Sequence, residues 1–392
     1  MEATFSGLPN ELIIQILNSD TSCEVARLLS GTSKQFQALA LPVLFRDVRL
    51  QTHDGAMMFF SVVHSDLSRA DHVRSLTMPL GSRGFGRTIA EPGFRPYFIS
   101  DRWHVAQSRK VAESLKSMAN LEHLTFNHRL VDPVDYHNLL QRHTFPRLTS
   151  CEMDVLGRFD KTTHDYNLLA AFWNRHRTLT RVFCPDLMRA SRPSLRIAMP
   201  NLEYLETSPI LVPLLDVAAR RLREVRMVWY PWQAALVEQV MRAIQAMTEV
   251  EIPFVASQDF FGLETCYALV DAISRNLPQT RMLRMRRIGQ YNELQALDGN
   301  MLAGITEYLS RFTDLVYFAM ENRYRLTLGP PRTAADRLVV QSWGDACPTL
   351  EACCLNSVAW VKVSGVWAVA PLERFYELAD RVHLAIRTPI AF

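Results

Sequence analysis

The chain is notable first for what it does not contain. No run reaches the roughly 18 consecutive apolar residues that a membrane-crossing helix needs, so no span is predicted and no membrane partner is expected. The opening "MEATFSGLPNE" lacks the basic start and apolar core of a secretory signal. Cysteine is scattered at 23, 151, 184, 266, 347, 353 and 354, an odd number at irregular spacing with no C-x-x-C pair. That distribution gives no disulfide framework and predicts a reduced intracellular protein, of cytoplasm and/or nucleus, with buried thiols. Net charge is only +3, which speaks against nucleic acid as the main partner.

Motifs for small-molecule chemistry are equally thin. The glycines of "GSRGFG" (81–86) do not follow a βα unit and lack the Lys-Ser or Lys-Thr of a phosphate loop. His123 and His128 stand five apart and His137 and His143 six apart, neither being the i, i+4 spacing of a zinc hydrolase helix. Cys353 and Cys354 fall on one predicted strand, so their side chains point to opposite faces and cannot easily share an ion. The sequence therefore predicts no metal, no cofactor and no catalytic residue.

What the chain does have is a loose internal repeat. A helical pattern followed by L-x-x-L-x-L or a near relative recurs at "VRSLTM" (73–78), "LEHLTF" (121–126), "LTSCEM" (148–153), "LTRVFC" (179–184) and "LEYLET" (202–207). It continues at "LREVRM" (222–227), "MTEVEI" (247–252), "TRMLRM" (280–285), "LVYFAM" (315–320) and "LEACCL" (350–355). The helices before these strands show one apolar face each: Val111, Leu115 and Met118; Val237, Val240, Met241 and Ile244; Leu302, Ile305 and Leu309. One short strand and one helix cannot close a core alone, so neighbouring units must stack. The spacing is looser than the 20–29 residues of regular leucine-rich repeats. It predicts an irregular α/β solenoid with a parallel concave sheet. A doubly wound fold would instead show longer Val/Ile strands and a glycine-rich first turn. One stretch breaks the period: residues 79–105, rich in Gly, Pro, Arg and aromatics, are predicted as a loop insertion.

Before the repeats, "LPNELIIQILNS" opens a short helical unit. Pro9 suits the first turn, where its missing N–H costs nothing, and Glu11 complements the positive end of the helix dipole. Leu12, Ile13, Ile16 and Leu17 recur at helical spacing, and Ile14, Val25, Leu28 and Leu29 add more apolar surface. Some forty residues cannot bury all of this internally. Either the rest of the chain or a partner must cover the remainder. Phe36, Leu39, Leu44 and Phe45 are the residues predicted to pack inward.

The segment "LPNELIIQILNSDTSCEVARLLSGTSKQFQALALPVLFRDVRL" resembles an F-box: a Leu-Pro start (Leu8, Pro9), an E-L-x-x-x-I-L helix (Glu11-Leu12 to Ile16-Leu17) and a helix through Leu28 to Ala40. "PVLFRDVRL" looks like the link and first strand that follow F-boxes in many fungal proteins with degenerate leucine-rich repeats. "WGDACPTLEACCLNSVAWVKVSGVWAVAP" looks like the ending of such proteins. The stretch "NSDTSCEVAR" departs from the family's punctuation between its first two helices. The resemblance implies two domains: a three-helix F-box at 1–46, then a leucine-rich-repeat-like solenoid at 47–392. It also implies that Leu8, Pro9, Leu12, Ile16, Leu17, Val25, Leu28 and Leu29 contact the adaptor Skp1, and through it a cullin–RING ubiquitin ligase. On this view the repeats recruit a protein substrate.

Two regions carry residues suited to that recruitment. The 79–105 stretch interleaves Arg83, Arg87, Arg95 and Arg102 with aromatics including Trp103, the residue types that dominate binding hot spots. On the strands, residues between the motif leucines face away from the helices. This places His123, Arg226, Glu249, Glu251, Arg284 and Arg286 on the concave face, an acidic pair beside a basic strand. Mixed charge fits a specific protein partner better than a polyanion. Two other function classes remain open at this level: an adaptor-bound scaffold without ligase activity, and an α/β enzyme.

Overall fold

The computed structural model describes residues 8–18, 23–78, 101–127, 133–154, 163–184, 196–216, 221–249, 254–260, 263–287, 299–322, 333–356, 358–375 and 377. The protein is mixed α/β, and the described residues hold thirteen strands. It divides into two compact units, the first running to Arg181 and the second made of Val182 and most of the chain beyond it. The helices of the first forty-odd residues thus share a unit with four strands.

In the first unit, α1 (Asn10–Asn18), α2 (Cys23–Ser30) and α3 (Lys34–Leu44) are followed by β1 (Asp47–Arg49) and α4 (His53–Ser65). Then come β2 (Ser75–Thr77), α5 (Asp101–Lys116), β3 (His123–Asn127), α6 (Pro133–Arg142), β4 (Ser150–Asp154) and α7 (Thr163–Arg175). Strands β1 to β4 lie side by side in chain order, each parallel to the next. Local chemistry sets the helix starts. The Ser33 hydroxyl accepts the Phe36 N–H at 3.2 Å to cap α3, and Thr52 accepts the Gly55 N–H at 3.1 Å to cap α4. Because α5 starts at Asp101, Trp103 stands on a helix and not in the loop predicted to run to 105.

The division between the units falls within β5 (Arg181–Cys184). The second unit continues with β6 (Tyr204–Thr207), β7 (Glu224–Trp229), α8 (Val237–Gln245), β8 (Phe254–Phe260), α9 (Leu263–Asn276) and β9 (Thr280–Arg287). It is completed by α10 (Gly299–Leu309), β10 (Tyr317–Asn322), α11 (Thr333–Ala346), β11 (Ala352–Leu355), β12 (Val358–Val363) and β13 (Val366–Ala370). From β7 to β11 every strand is parallel to its predecessor. β12 and β13 then pair antiparallel through a tight turn in which Ser364 (φ 50°) and Gly365 (φ 83°) both take positive φ, the backbone that a two-residue hairpin requires.

The repeat can be read residue by residue. At the first, fourth and sixth motif positions the side chains are buried from unit to unit: Leu121, Leu124 and Phe126 at β3; Leu222, Val225 and Met227 at β7; Leu350, Cys353 and Leu355 at β11. These point toward the helices, as Phe318 shows by meeting Trp343 of α11 edge-on at 4.9 Å. The predicted helix faces, Val111/Leu115/Met118, Val237/Val240/Met241/Ile244 and Leu302/Ile305/Leu309, are buried. The backbone repeats as well. The carbonyl at the second motif position accepts two consecutive N–H groups of the next unit: Arg74 from Glu122 and His123, Glu122 from Thr149 and Ser150, Glu203 from Arg223 and Glu224, Val316 from Glu351 and Ala352.

One strand departs from the prediction. The described part of "MTEVEI", Met247 to Glu249, is on no strand: the N–H groups of Ala246, Met247 and Thr248 turn back to Arg242, Ile244 and Gln245, closing α8. The strand lies later, at β8, in line with Val225 and Leu283 through Ala256.

Candidate functional site

Two surfaces gather the predicted residues, one in each unit. In the first unit, Ile13, Leu17, Ala26 and Ala40 form the centre of the three-helix cluster, with Leu8, Leu29, Phe36, Leu39, Val43 and Leu44 packed around them. The Gln35 amide donates to Asn10 Oδ1 at 2.9 Å and ties α3 to α1. Phe45 packs its ring against Phe59 of α4 at 6.0 Å. This core leaves apolar side chains outside: Leu12 is 44%, Ile14 40% and Leu28 63% exposed. Pro9 is exposed and Leu8, Ile16, Val25 and Leu29 are half-buried. Leu17 belongs to the core and is not at the surface. Ile14 is the apolar surface residue that the motif match did not single out.

In the second unit, the face opposite the helices carries a ladder of charge. Parallel register places Glu206 beside Arg226, and Asp259 beside Arg286 and then Glu321, on consecutive strands β6 to β10. The Tyr204 hydroxyl donates to Glu206 Oε2 at 2.7 Å, and Arg226 Nε lies 3.5 Å from Glu206 Oε1. Arg226 Nη2 is 3.8 Å from Asp259 Oδ2. Asp259 in turn accepts from Arg286 Nε at 2.7 Å and from its Nη2. Arg284 grips Glu321 through Nη2 at 2.6 Å and Nε at 3.2 Å. Four carboxylates (Glu206, Glu224, Asp259, Glu321) thus meet three guanidiniums (Arg226, Arg284, Arg286), all four acids being largely buried.

The electrostatics follow from this placement. Burial alone would raise the Asp259 carboxyl, but Arg286, with Arg226 and Arg284 behind it, holds it below its ordinary value. Burial would lower Arg226, yet Glu206 and Asp259 push it up. Burial, with Glu206 adjacent, raises the Tyr204 hydroxyl, which stays protonated and able to donate. Arg284 and Arg286 each spend two N–H donors on a carboxylate. What they would offer a phosphate is already engaged.

The other predicted residues are not brought to this ladder. Glu249 is exposed in the stretch after α8, on no strand. His123 is exposed on β3 in the first unit, where the neighbouring Thr125 donates to Glu152 at 3.1 Å. Arg83, Arg87, Arg95 and Glu251 lie outside the described residues, as does the Trp103 side chain. Asp259, the acid at the centre of the ladder, was not legible. The strand signal depends on leucines at the fourth and sixth motif positions, and β8 has Ala256 and Gln258 there. Gln258 is tolerated because its Oε1 accepts the Trp229 indole N–H at 2.6 Å.

Among the described residues no group of three or more His, Cys, Asp or Glu could hold a metal ion, and no helix is long and apolar enough to cross a membrane. Cys151, Cys184, Cys266, Cys347, Cys353 and Cys354 are buried thiols outside any disulfide. Burial pushes the Cys266 thiol up to about 12 and raises Cys347 and Cys353 too, so these are protonated thiols and poor nucleophiles. No protein-family model matches the chain, and no curated protein matches it.

Proposed function

We propose that this protein is a substrate receptor of a Skp1–cullin–F-box ubiquitin ligase. Its first three helices dock on Skp1, and its strand-and-helix repeats, read as a degenerate leucine-rich-repeat solenoid, hold a protein target. In this role it carries no catalytic group. It raises the effective concentration of the target near a ubiquitin-loaded enzyme.

The observation that carries the reading is the exposure of Leu12, Ile14 and Leu28, which stand outside the core of the helical cluster. Large apolar side chains left in water on so small a unit are surface that a partner can bury. The repeated two-for-one carbonyl bonding of successive strands supports the repeat reading of the remainder. Co-expression with Skp1 is the test. A soluble complex that also captures a cullin supports a ligase receptor, capture of Skp1 alone supports a scaffold, and a soluble lone monomer indifferent to Skp1 overturns the reading.

A further inference from the structure

The strand order runs from β1 to β13, and its first and last members are built differently. β1 is three residues long with Asp47 and Arg49 exposed, as edges that stay alone are made. β13 reads VWAVA and carries neither charge nor proline. Val366 is 61% and Val369 56% exposed, and Ala368 and Val363, across the turn, are exposed as well. Among the described residues of the second unit, the other large apolar side chains left in water are Trp232 and Leu338. Exposed apolar surface is thus concentrated on this hairpin.

The backbone of this edge is open too. Register pairs Val366 with Val363 and Ala368 with Val361 across the two-residue turn, so their N–H and C=O groups face β12. Those of Trp367 and Val369 therefore point outward. Arg337 of α11 marks the direction, donating from Nη2 to the Trp367 carbonyl at 3.2 Å. The Trp367 N–H and both backbone groups of Val369 bond to no described residue. An uncharged strand with such a row of unpaired groups is a template for a further strand.

We infer that β13 pairs with β13 of a second copy of this chain, antiparallel about a two-fold axis through Ala368. The strand is its own complement. Its outward residues lie one on each side of Ala368, so Trp367 meets the partner's Val369 and Val369 meets the partner's Trp367, each pair exchanging N–H···O bonds in both directions. A carbonyl has two lone pairs, so that of Trp367 can keep Arg337 as well. Ala368 then faces the partner's Ala368 in a non-hydrogen-bonded pair, where Cα atoms approach to about 4.5 Å and a methyl group fits. Val366 faces the partner's Ala370. A strand without charge sets no like charges opposite each other, the arrangement that makes a strand repel its own copy. Pro371 has no N–H to offer and ends the paired stretch. Two-fold pairing consumes the edge, so the assembly closes at two copies. This concerns the second unit only and stands whether or not the first unit binds an adaptor.

The test is analytical ultracentrifugation of the full chain. One strand edge is a small interface, so the dimer should appear with rising concentration, below about 100 μM. Leu12→Asp with Leu28→Asp should leave that dimer intact, which separates it from association through the N-terminal helices. Ala368→Lys and Ala368→Glu each set two like charges against each other at the axis and should weaken the dimer about fivefold or more. Mixing the two variants should restore it as a Lys–Glu pair. Ala368 is exposed, so neither substitution enters the core. A chain still monomeric at about 100 μM would overturn the inference. So would a dimer lost with the double aspartate, a dimer indifferent to both Ala368 substitutions, or a mixture that associates no better than either variant alone.

Discussion

Asp259 is 3% exposed at its side chain and is kept a carboxylate by Arg286, which faces it with two donors, with Arg226 and Arg284 behind it. Removing one partner of a buried pair costs far more than the pair itself contributes, about 3–5 kcal/mol. Arg286→Met should therefore destabilise the second unit by that order in denaturant melts, whereas Arg286→Met combined with Asp259→Leu should recover most of the loss. The folded carboxyl lies below its ordinary value of 3.8. Its contribution is therefore present above that value and lost as pH falls below it. A second residue-scale case runs the other way in charge. The Phe145 N–H donates to His176 Nε2 at 2.8 Å, which fixes the proton on Nδ1, and Nδ1 then donates to the Phe172 carbonyl at 2.7 Å. Neighbouring His143 packs edge-on against Phe145 at 4.4 Å, and burial, with His176, Lys116 and Arg175 nearby, lowers it from 6.5 to about 4. Both imidazoles are held neutral when folded. The stability they contribute is complete above pH 6.5 and drains away as pH falls through their lowered folded values, about 4 for His143, because the unfolded chain takes up protons first. Melting temperatures at pH 7 and pH 5 should show this, and His143→Phe should shrink the difference. None of it is legible in sequence, since "HTFPRL" and "NRHRTL" meet only once the strands that follow them are side by side.

The elements were more legible than the residues between them. A buried side chain at three fixed positions per strand is a pattern that one sequence displays, so nine of the ten motif strands stand where the leucines mark them. β8 is the exception, because its inward positions are an alanine and a hydrogen-bonded glutamine. The docking of α11 on β13 shows how tightly such elements meet. A Cβ on Gly344 would lie 2.5 Å from the Trp367 indole nitrogen, and Lys362 covers the other part of that ring at 5.9 Å. Gly344→Ala should raise helix propensity yet still destabilise the chain by about 1–3 kcal/mol, since the indole has to shift inside a packed contact. A gain in melting temperature would contradict that account.

On the scale of the whole molecule, the sequence marks an N-terminal helical unit followed by repeats, and the compact units divide within β5. The helices of residues 10–44 have a small core of their own, and the contact of Phe45 with Phe59 joins them to α4. The proposed adaptor surface gives a direct prediction. Leu12→Asp with Leu28→Asp places two charges on side chains already in water, so the melting temperature should change by little while Skp1 capture is lost. Interface leucines of this kind carry about 2–4 kcal/mol each. Leu17→Ala, in contrast, should unfold the helical cluster itself, because Leu17 is core. Capture that survives the double aspartate would place the adaptor elsewhere.

The antiparallel end of the second unit has a kinetic consequence. Parallel neighbours can be joined only after a connection of a dozen or more residues has come round, whereas β12 and β13 meet across a two-residue turn. Hairpins of that kind close in about 1–10 μs. β11 and β12 are likewise antiparallel, with Leu355 opposite Val358, so the last three strands can pair as the chain leaves the ribosome without waiting for a crossover.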